Sequence, residues 1–243
     1  MAALFFKELR SFLSSLIGYI VIGVFLTITS LFLWVLPNDF NVLDYGYANL
    51  DSFFILAPFV FLFLIPAVSM RSFSDEKKSG TDELLFTRPL SEIQIILAKY
   101  FASLSLVVLA ILPTLVYYIS IYLLGFPVGN IDSGSFWCSF IGLIFLAATL
   151  TYIGVFASSL SSNQLVAFVV AVLLSAFVYM GFEFIYSLEF FGPVDLFIKS
   201  LGISHHYGSI SRGVIDTRDI VYFISTIFLF LFLTKFSLSR MKW

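Results

Sequence analysis

The longest charge-free stretch of this chain runs from residue 133 to residue 182 and contains no Asp, Glu, Lys, Arg or His. A single α-helix through it would be about 75 Å long at about 1.5 Å per residue, whereas the hydrocarbon core of a bilayer is about 30 Å thick. The stretch therefore predicts two membrane-spanning helices. Its one polar cluster, Ser-Ser-Leu-Ser-Ser-Asn-Gln at residues 158–164, indicates the turn between them.

The composition of the whole chain agrees with a membrane protein. Of its 243 residues, 60% are hydrophobic and 12% are charged, whereas a soluble domain carries about 25% charged residues. So much apolar surface must face lipid. The net charge of -2 gives no indication of nucleic-acid binding, and the one cysteine, Cys138, can form neither an internal disulfide nor a metal site by itself.

Six segments are long and apolar enough to cross a membrane, since a spanning helix needs about 20 mostly apolar residues. They lie near residues 15–36, 52–70, 100–124, 135–157, 165–182 and 220–235. The chain, 1–243, is then one all-α, polytopic transmembrane domain. The apolar run from Ser11 to Pro37 exceeds the length of about 7–15 residues in a signal peptide, so we interpret it as the first membrane anchor.

The basic residues predict the orientation of the chain, because cytoplasmic loops carry an excess of Lys and Arg. Ten of the 13 lie in the N-terminal segment, the loop 71–99 and the C-terminal tail, and the other three lie in the loop 183–219. The loops 37–51 and 125–134 contain none. With six spans, both termini are therefore predicted to be cytoplasmic.

Residues 1–14 are predicted to form an interfacial helix ahead of the first span. Phe5, Leu9 and Phe12 recur at helical spacing, while Lys7 and Arg10 take the other face. The alternative is that these residues only flank the first span.

The predicted cytoplasmic loop 71–99 contains the most informative local signals. Gly80 favours the end of one helix, and Thr81 is suited to N-cap the next, which Pro89 limits to about two turns. So short a helix is unstable alone, which favours a docking partner; a solvated connector is the alternative.

A further helix is predicted to begin at Ser91 and to continue into the third span. Ser91 and Gln94 have the spacing of a capping box. Pro113, in the middle of this helix, predicts a kink.

Two stretches of the chain resemble ABC-2 type permeases, the membrane subunits of ABC transporters. The first is residues 64–90, whose core is Glu-Lys-x-x-Gly-Thr-x-Glu-Leu-Leu at residues 76–85, followed by Thr-x-Pro-Leu. Asp82 departs from the usual pattern, in which an apolar residue is commoner. The second is Ser-Arg-Gly-Val-Ile-Asp-x-Arg-Asp-Ile at residues 211–220. Within the family, the N-terminal residues and Leu33-Trp34-Val35 are most similar to the gliding-motility-associated, GldF-type permeases of Bacteroidota-type bacteria.

The resemblance implies a six-span permease in a bacterial inner membrane, with membrane lipid, a separate cytoplasmic ABC ATPase and a second permease chain, identical or related, as its partners. It implies that the ATPase touches a coupling loop that includes Glu76, Lys77, Gly80, Thr81, Glu83, Leu84, Leu85, Thr87 and Pro89. The matching periplasmic motif contains Arg212, Gly213, Asp216 and Asp219. The chain lacks the Gly-x-x-x-x-Gly-Lys-Ser/Thr of a P-loop. We therefore expect it to be no enzyme and to bind no cofactor, with ATP bound by the partner.

A self-contained secondary transporter is the first alternative. Ion-coupled carriers usually place ionisable residues inside the membrane, and the predicted spans contain no carboxylate or histidine. Glu183, at the end of the fifth span, is the nearest candidate.

An intramembrane enzyme is the second alternative, because Ser204 lies beside His205. Adjacent residues on a helix point apart, which disfavours a nucleophile–base pair. A metal site at His205 and His206 would need further ligands, for which Asp195 and Asp216 are candidates.

The loop 183–219 begins with apolar and aromatic residues. This composition suits a re-entrant or interfacial helix, and a plain periplasmic loop is the alternative. In the resembling family this region forms an extracellular cap over the pathway.

Overall fold

The computed structural model describes residues 1–81, 90–189 and 192–239. Within these ranges the chain forms α-helices joined by short 3-10 and π-helical turns, with no strand. Six continuous helical segments are long and apolar enough to cross a membrane: Leu16–Val35, Asp51–Ser79, Glu92–Leu124, Ser133–Leu160, Gln164–Ser187 and Thr217–Ser239. The prediction of an all-α fold with six spanning helices is confirmed. The orientation of the termini stays a prediction.

The helices are numbered in chain order, with helical turns as connections. They are α1 (Ala2–Ser14), α2 (Leu16–Ser30), α3 (Val42–Tyr45), α4 (Asp51–Ser69), α5 (Arg71–Ser79), α6 (Glu92–Ile111), α7 (Leu115–Leu124), α8 (Ser133–Leu160), α9 (Gln164–Ala176), α10 (Phe182–Ser187), α11 (Asp195–Lys199), α12 (Ile203–Ile210) and α13 (Thr217–Ser239).

The bundle has three inner and three outer spans. In the most apolar windows of the segments at α4–α5, α6–α7 and α8, the buried residues make up 67%, 61% and 78%. In those at α2, α9–α10 and α13 they make up 28%, 22% and 22%. The central helix α8 packs against α4, α9 and α13. The outer helices therefore present most of their apolar surface to lipid or to another chain.

The packing of α8 on α4 depends on Gly154. A Cβ atom at this position would lie 1.9 Å from Ser69 Oγ, which is far inside van der Waals contact. A larger residue at position 154 would therefore force the two helices apart, as small residues at helix contacts in membranes commonly allow close approach.

The helix ends agree with the local signals in the sequence. Ser91 Oγ accepts a hydrogen bond from Gln94 N at 3.3 Å, and Gln94 Oε1 accepts one from Ser91 N at 3.2 Å, which confirms the capping box. Gly80 ends α5 in the left-handed conformation, at φ 66. Pro113 lies in a 3-10 turn, Leu112–Thr114, at the predicted kink between α6 and α7.

The two long predicted loops are largely helical. The loop 71–99 begins with α5, which follows α4 after Met70 alone. The loop 183–219 contains α11 and α12, and α12 packs against α8 and α13. In addition, α1 packs along α6, with Leu4 buried and Phe5 and Phe12 against the core. This apolar face therefore contacts protein, and the interfacial position of residues 1–14 stays a prediction.

Candidate coupling site

The two ends of the bundle are named by the helices that lie there. The α5 end contains α1, α5 and the turn after α8, and the α12 end contains α3, α11 and α12. Each end holds one group of bonded polar side chains.

At the α5 end, a serine from α8 binds the start of α5. Ser158 Oγ accepts hydrogen bonds from Phe73 N at 2.9 Å and Ser74 N at 3.2 Å, and it donates one to Met70 O at 2.8 Å. A hydroxyl has one donor and two acceptor lone pairs, so this buried side chain uses its full capacity. It fixes α5 to the end of α8.

Two further contacts join α5 to neighbouring helices. Lys77 Nζ donates to Ser159 O at the end of α8, and Gln164 Nε2, at the start of α9, donates to Asp75 Oδ1. The turn between the fourth and fifth spans is thereby bonded to α5 on both sides.

Lys99 on α6 lies between two carboxylates from other helices. Its Nζ is 2.8 Å from Glu76 Oε1 on α5 and 3.5 Å from Glu8 Oε1 on α1. The lysine side chain is 2% exposed, and a buried charge is tolerated only when it is paired. Phe73 places its ring 5.2 Å from the same ammonium. A polar pocket of about 210 Å³ lies beside this ion cluster, between α1, α5 and α6.

At the α12 end, His206 is held on both ring nitrogens. Nδ1 is 2.7 Å from Asp219 Oδ1 on α13, and Nε2 is 2.8 Å from Ser200 O. The ring stacks on Tyr222 with centroids 3.9 Å apart, and Tyr222 OH donates to Leu201 O at 2.6 Å. These bonds join the turn between α11 and α12 to the start of the last span.

A second contact at this end joins α12 to α4. Tyr207 OH donates to Phe54 O at 2.7 Å. Phe54 O lacks the usual helical donor, because the residue four positions later is Pro58, which has no N–H. Burial raises the pKa of the Tyr207 hydroxyl well above its ordinary value, so it remains a neutral donor.

The comparison with protein families then gives the decisive match. The model of the ABC-2 family transporter protein matches residues 38–201, more than half of the chain. The chain belongs to the ABC-2 transporter family. Permease domains of this family are membrane components of transporters and are not catalytic, and the family in general implies a cytoplasmic ABC ATPase partner. Comparison with curated proteins gives no match.

The matched range contains the coupling residues predicted for this permease. Glu76 binds Lys99, and Lys77 binds the end of α8. Gly80 ends α5, and Thr81 N donates to Glu76 O at 3.0 Å. The other predicted positions lie outside the described residues; they are Glu83, Leu84, Leu85, Thr87 and Pro89.

Sequence reasoning missed the partners of α5. It counted Lys99 only among the basic residues of the loop 71–99 and took the polar residues at 158–164 only as a turn. The position of Lys99 between Ala98 and Tyr100, at the apolar start of a span, was the available signal. No local pattern could identify Glu8 and Ser158, because they lie far from α5 in the chain.

The second motif of the permease shapes the approach to α13. Arg212 Nε donates to Gly208 O at 3.0 Å. Gly213 has φ 88, where a side chain is disfavoured, and its Cβ would lie 3.1 Å from Ser135 Cα. Asp216 Oδ1 accepts from Arg218 N at 3.0 Å, and this bond lowers the pKa of the Asp216 carboxyl. Asp219 binds His206.

The residues of the two alternative functions also lie at the α12 end. Ser204 Oγ is buried and makes no hydrogen bond within the described part of the chain, so it does not contact His205 as a nucleophile would. Among the described residues, no group of three or more His, Cys, Asp and Glu could hold a metal ion. Glu183 lies in the first turn of α10.

Proposed function

We propose that the chain is the permease subunit of an ATP-driven ABC-2 transporter in a bacterial inner membrane, with both termini and the α5 end in the cytoplasm. The family match supports the class of protein. The concentration of basic residues in the N-terminal segment, the loop 71–99 and the C-terminal tail supports the orientation.

The observation that carries the proposal is the attachment of α5. This helix is bonded to α6, α8 and α9 and reaches α1 through Lys99. A force applied at the segment after Gly80 therefore acts on several spans together, because packed helices with bonded ends move as units.

In the proposed mechanism, ATP binding draws two ATPase subunits together against the coupling loops of two permease chains. The push on the segment that carries Glu83, Leu84 and Leu85 is transmitted by α5. The Glu76–Lys99 ion pair passes it to α6, which tilts the third span and opens or closes the pathway. The poorly buried outer spans leave surface for the second permease chain.

We further propose that the transporter belongs to the gliding-motility-associated group. The resemblance of the N-terminal residues supports this, including Lys7-Glu8 and the segment 12–19. A strain that lacks the gene is expected to lose colony spreading, and the unaltered gene should restore it. Normal spreading of the deletion strain would remove this part of the proposal and leave the permease assignment standing.

The coupling loop is tested with the double variant Leu84→Asp/Leu85→Asp, because charge in place of an apolar docking surface costs binding. The matched control is Val214→Asp/Ile215→Asp, which adds the same charges to exposed residues at the α12 end. Each chain carries a C-terminal tag and is purified in mild detergent, and the co-purifying proteins are identified.

Both variants should insert into the membrane at the level of the parent chain. We expect the control and the parent to recover an ATPase with a P-loop, and the Leu84/Leu85 variant to lose it. Equal recovery by all three chains would show that the loop 71–99 is not the docking element.

One structural observation favours the secondary-transporter alternative and is a reason to test it as well. Buried ionisable residues do occur near the ends of spanning helices, at Lys99 and Asp219. If the parent chain purifies alone in several detergents and moves a solute in liposomes without ATP, the carrier class replaces the ABC permease class.

A further inference from the structure

We propose that the polar pocket between α1, α5 and α6 binds the headgroup of a phospholipid that carries both a phosphate and a primary ammonium, a phosphatidylethanolamine. The pocket has a volume of about 210 Å³ and lies beside the Lys99 ion cluster. The site does not depend on the proposed function, because it rests on contacts within this chain alone.

The charges that line the pocket leave one cation and one anion over. Three basic and three acidic residues line it: Lys7, Glu8, Arg71, Asp75, Glu76 and Lys99. Lys99 pairs with Glu8 and Glu76, and Lys7 lies 3.6 Å from Glu8. The charges of these four residues sum to zero. Within the described part of the chain, Arg71 and Asp75 form no ion pair, either with each other or with a third residue.

Arg71 has the chemistry and the position to bind a lipid phosphate. It is the first residue of α5 and follows the spanning helix α4 after Met70 alone. Its Nε is buried and has no hydrogen-bond partner among the described residues. A guanidinium presents five N–H donors in a planar fork that matches a phosphate group, and long basic side chains at the ends of spanning helices reach the headgroup level. A phosphate would therefore satisfy the unpaired donors.

Asp75 lies one helical turn after Arg71 and provides the site for the ammonium. Gln164 Nε2 donates to Asp75 Oδ1, and this neutral amide leaves the carboxylate charge uncompensated. An ionised carboxylate has about four acceptor sites, so it can also accept from an ammonium. Residues four apart on a helix have Cβ atoms about 5–6 Å apart. A headgroup with two methylene groups between phosphate and ammonium can therefore contact both side chains.

An apolar groove of about 520 Å³ continues along the same helices and suits an acyl chain. Its residues Val21 and Ala67 lie one turn from Ile17 and Arg71, which line the polar pocket. Every residue that lines the groove is apolar. On the first span it extends from Ile20 to Phe32, about 18 Å at about 1.5 Å per residue, or roughly one leaflet of a hydrocarbon core about 30 Å thick. The occupant is therefore a lipid with its headgroup in the pocket.

The bound lipid would complete the attachment of α5. Ser158 and Lys99 already hold this helix to α8 and α6. A headgroup on Arg71 and Asp75 would add a contact between α5 and the bilayer. Without the lipid, Arg71 could instead turn onto Asp75, but such a pair on a helix surface contributes little.

The test compares headgroups on the full chain, purified in neutral detergent and freed of lipid. Short-chain, dihexanoyl forms of phosphatidylethanolamine, phosphatidylcholine and phosphatidylglycerol are titrated, and the rise in unfolding temperature gives each apparent Kd. We expect phosphatidylethanolamine to bind at least about tenfold more tightly than the other two, because a bond to a charged group is lost with each of them. The choline ammonium has no N–H to donate to Asp75, and phosphatidylglycerol has no cation.

Two variants separate the two halves of the site. Asp75→Asn, which can still accept from Gln164, should bind phosphatidylethanolamine and phosphatidylcholine equally. Arg71→Gln should bind all three lipids at least about tenfold more weakly than the parent. The matched controls are Asp44→Asn and Arg218→Gln, which remove the same charges from exposed residues at the α12 end and should bind like the parent.

Equal affinity of the parent for the three lipids would overturn the proposal, and this result does not depend on the folding of any variant. An unchanged preference for phosphatidylethanolamine in Asp75→Asn would overturn it as well. Glycerophosphoethanolamine, the same headgroup without acyl chains, distinguishes a lipid from a soluble ligand. It should bind at least about tenfold more weakly than the lipid, because burial of each CH₂ contributes to binding. Equal binding of the two would refute a lipid as the occupant.

Discussion

The two ends of the bundle are joined by polar pairs around different basic residues. At the α5 end, Lys99 binds Glu8 and Glu76 from two helices. At the α12 end, His206 binds Asp219 from one helix. The α5 end is therefore joined by one buried lysine that bridges three helices, whereas the α12 end is joined by a pair between two helices, with the Tyr222 ring stacked on the histidine.

The largest expected loss of stability comes from replacing Lys99, which pairs with both carboxylates at the α5 end. Lys99→Met leaves the largely buried Glu76 without its cation and leaves Glu8 with the exposed Lys7 alone, which should lower the free energy of unfolding by about 3–5 kcal/mol. Lys7→Met is the matched control, because Lys7 is 67% exposed and its ion pair with Glu8 should contribute less than about 1 kcal/mol. Thermal unfolding in detergent measures both. Equal changes in the unfolding temperature of the two variants would contradict the idea that the buried Lys99 holds α1, α5 and α6 together.

A smaller loss of stability is expected where neutral hydrogen bonds hold α5 to α8. Ser158→Ala removes the shared hydrogen-bond partner of Phe73 N, Ser74 N and Met70 O. The free energy of unfolding should fall by about 2 kcal/mol. Ser105→Ala is the control, because its hydroxyl is exposed and bonds within its own helix. If Ser158→Ala unfolds like Ser105→Ala, α5 is not fastened to α8 through this side chain.

The corresponding neutral bond at the α12 end is expected to contribute about 1 kcal/mol. Tyr207→Phe leaves Phe54 O without its donor, while the ring still fills the same space. Tyr118→Phe loses a bond to Ser133 between exposed side chains and should be near neutral. A shift in the unfolding temperature of Tyr118→Phe as large as that of Tyr207→Phe would refute the idea that Tyr207 replaces the backbone donor that Pro58 lacks.

The smallest effect is expected at Asp216, which caps α13 from an exposed position. Its pKa is lowered by the bond from Arg218 N, so the charged form is favoured in the folded chain. Its contribution is therefore present above about pH 4 and is lost as pH falls. At neutral pH, Asp216→Ala should unfold at a slightly lower temperature than the parent chain. At acid pH the two chains should unfold at the same temperature. Asp216→Asn, which can still cap, should show less of this difference.

Local sequence signals predicted the helices and several of their ends. Ser91 and Gln94 form the capping box, Gly80 ends α5, and Pro113 interrupts the third span. Each of these depends on residues within one or two turns, so the pattern is legible without knowledge of the fold. The same reasoning did not identify the contacts of α5 and α12 with α8 and α13, because a local pattern does not contain contacts between distant helices.

The sequence by itself determined the class of fold. Long apolar segments without charge must cross a bilayer as helices, since lipid offers no partner for exposed backbone groups. Tertiary structure alone decided which polar residues meet: Lys99 with Glu8, Ser158 with α5, and His206 with Asp219. Ser158 lies 85 residues from Phe73 in the chain. Such pairs arise only when packed helices bring distant positions together in a medium that penalises any polar group without a partner.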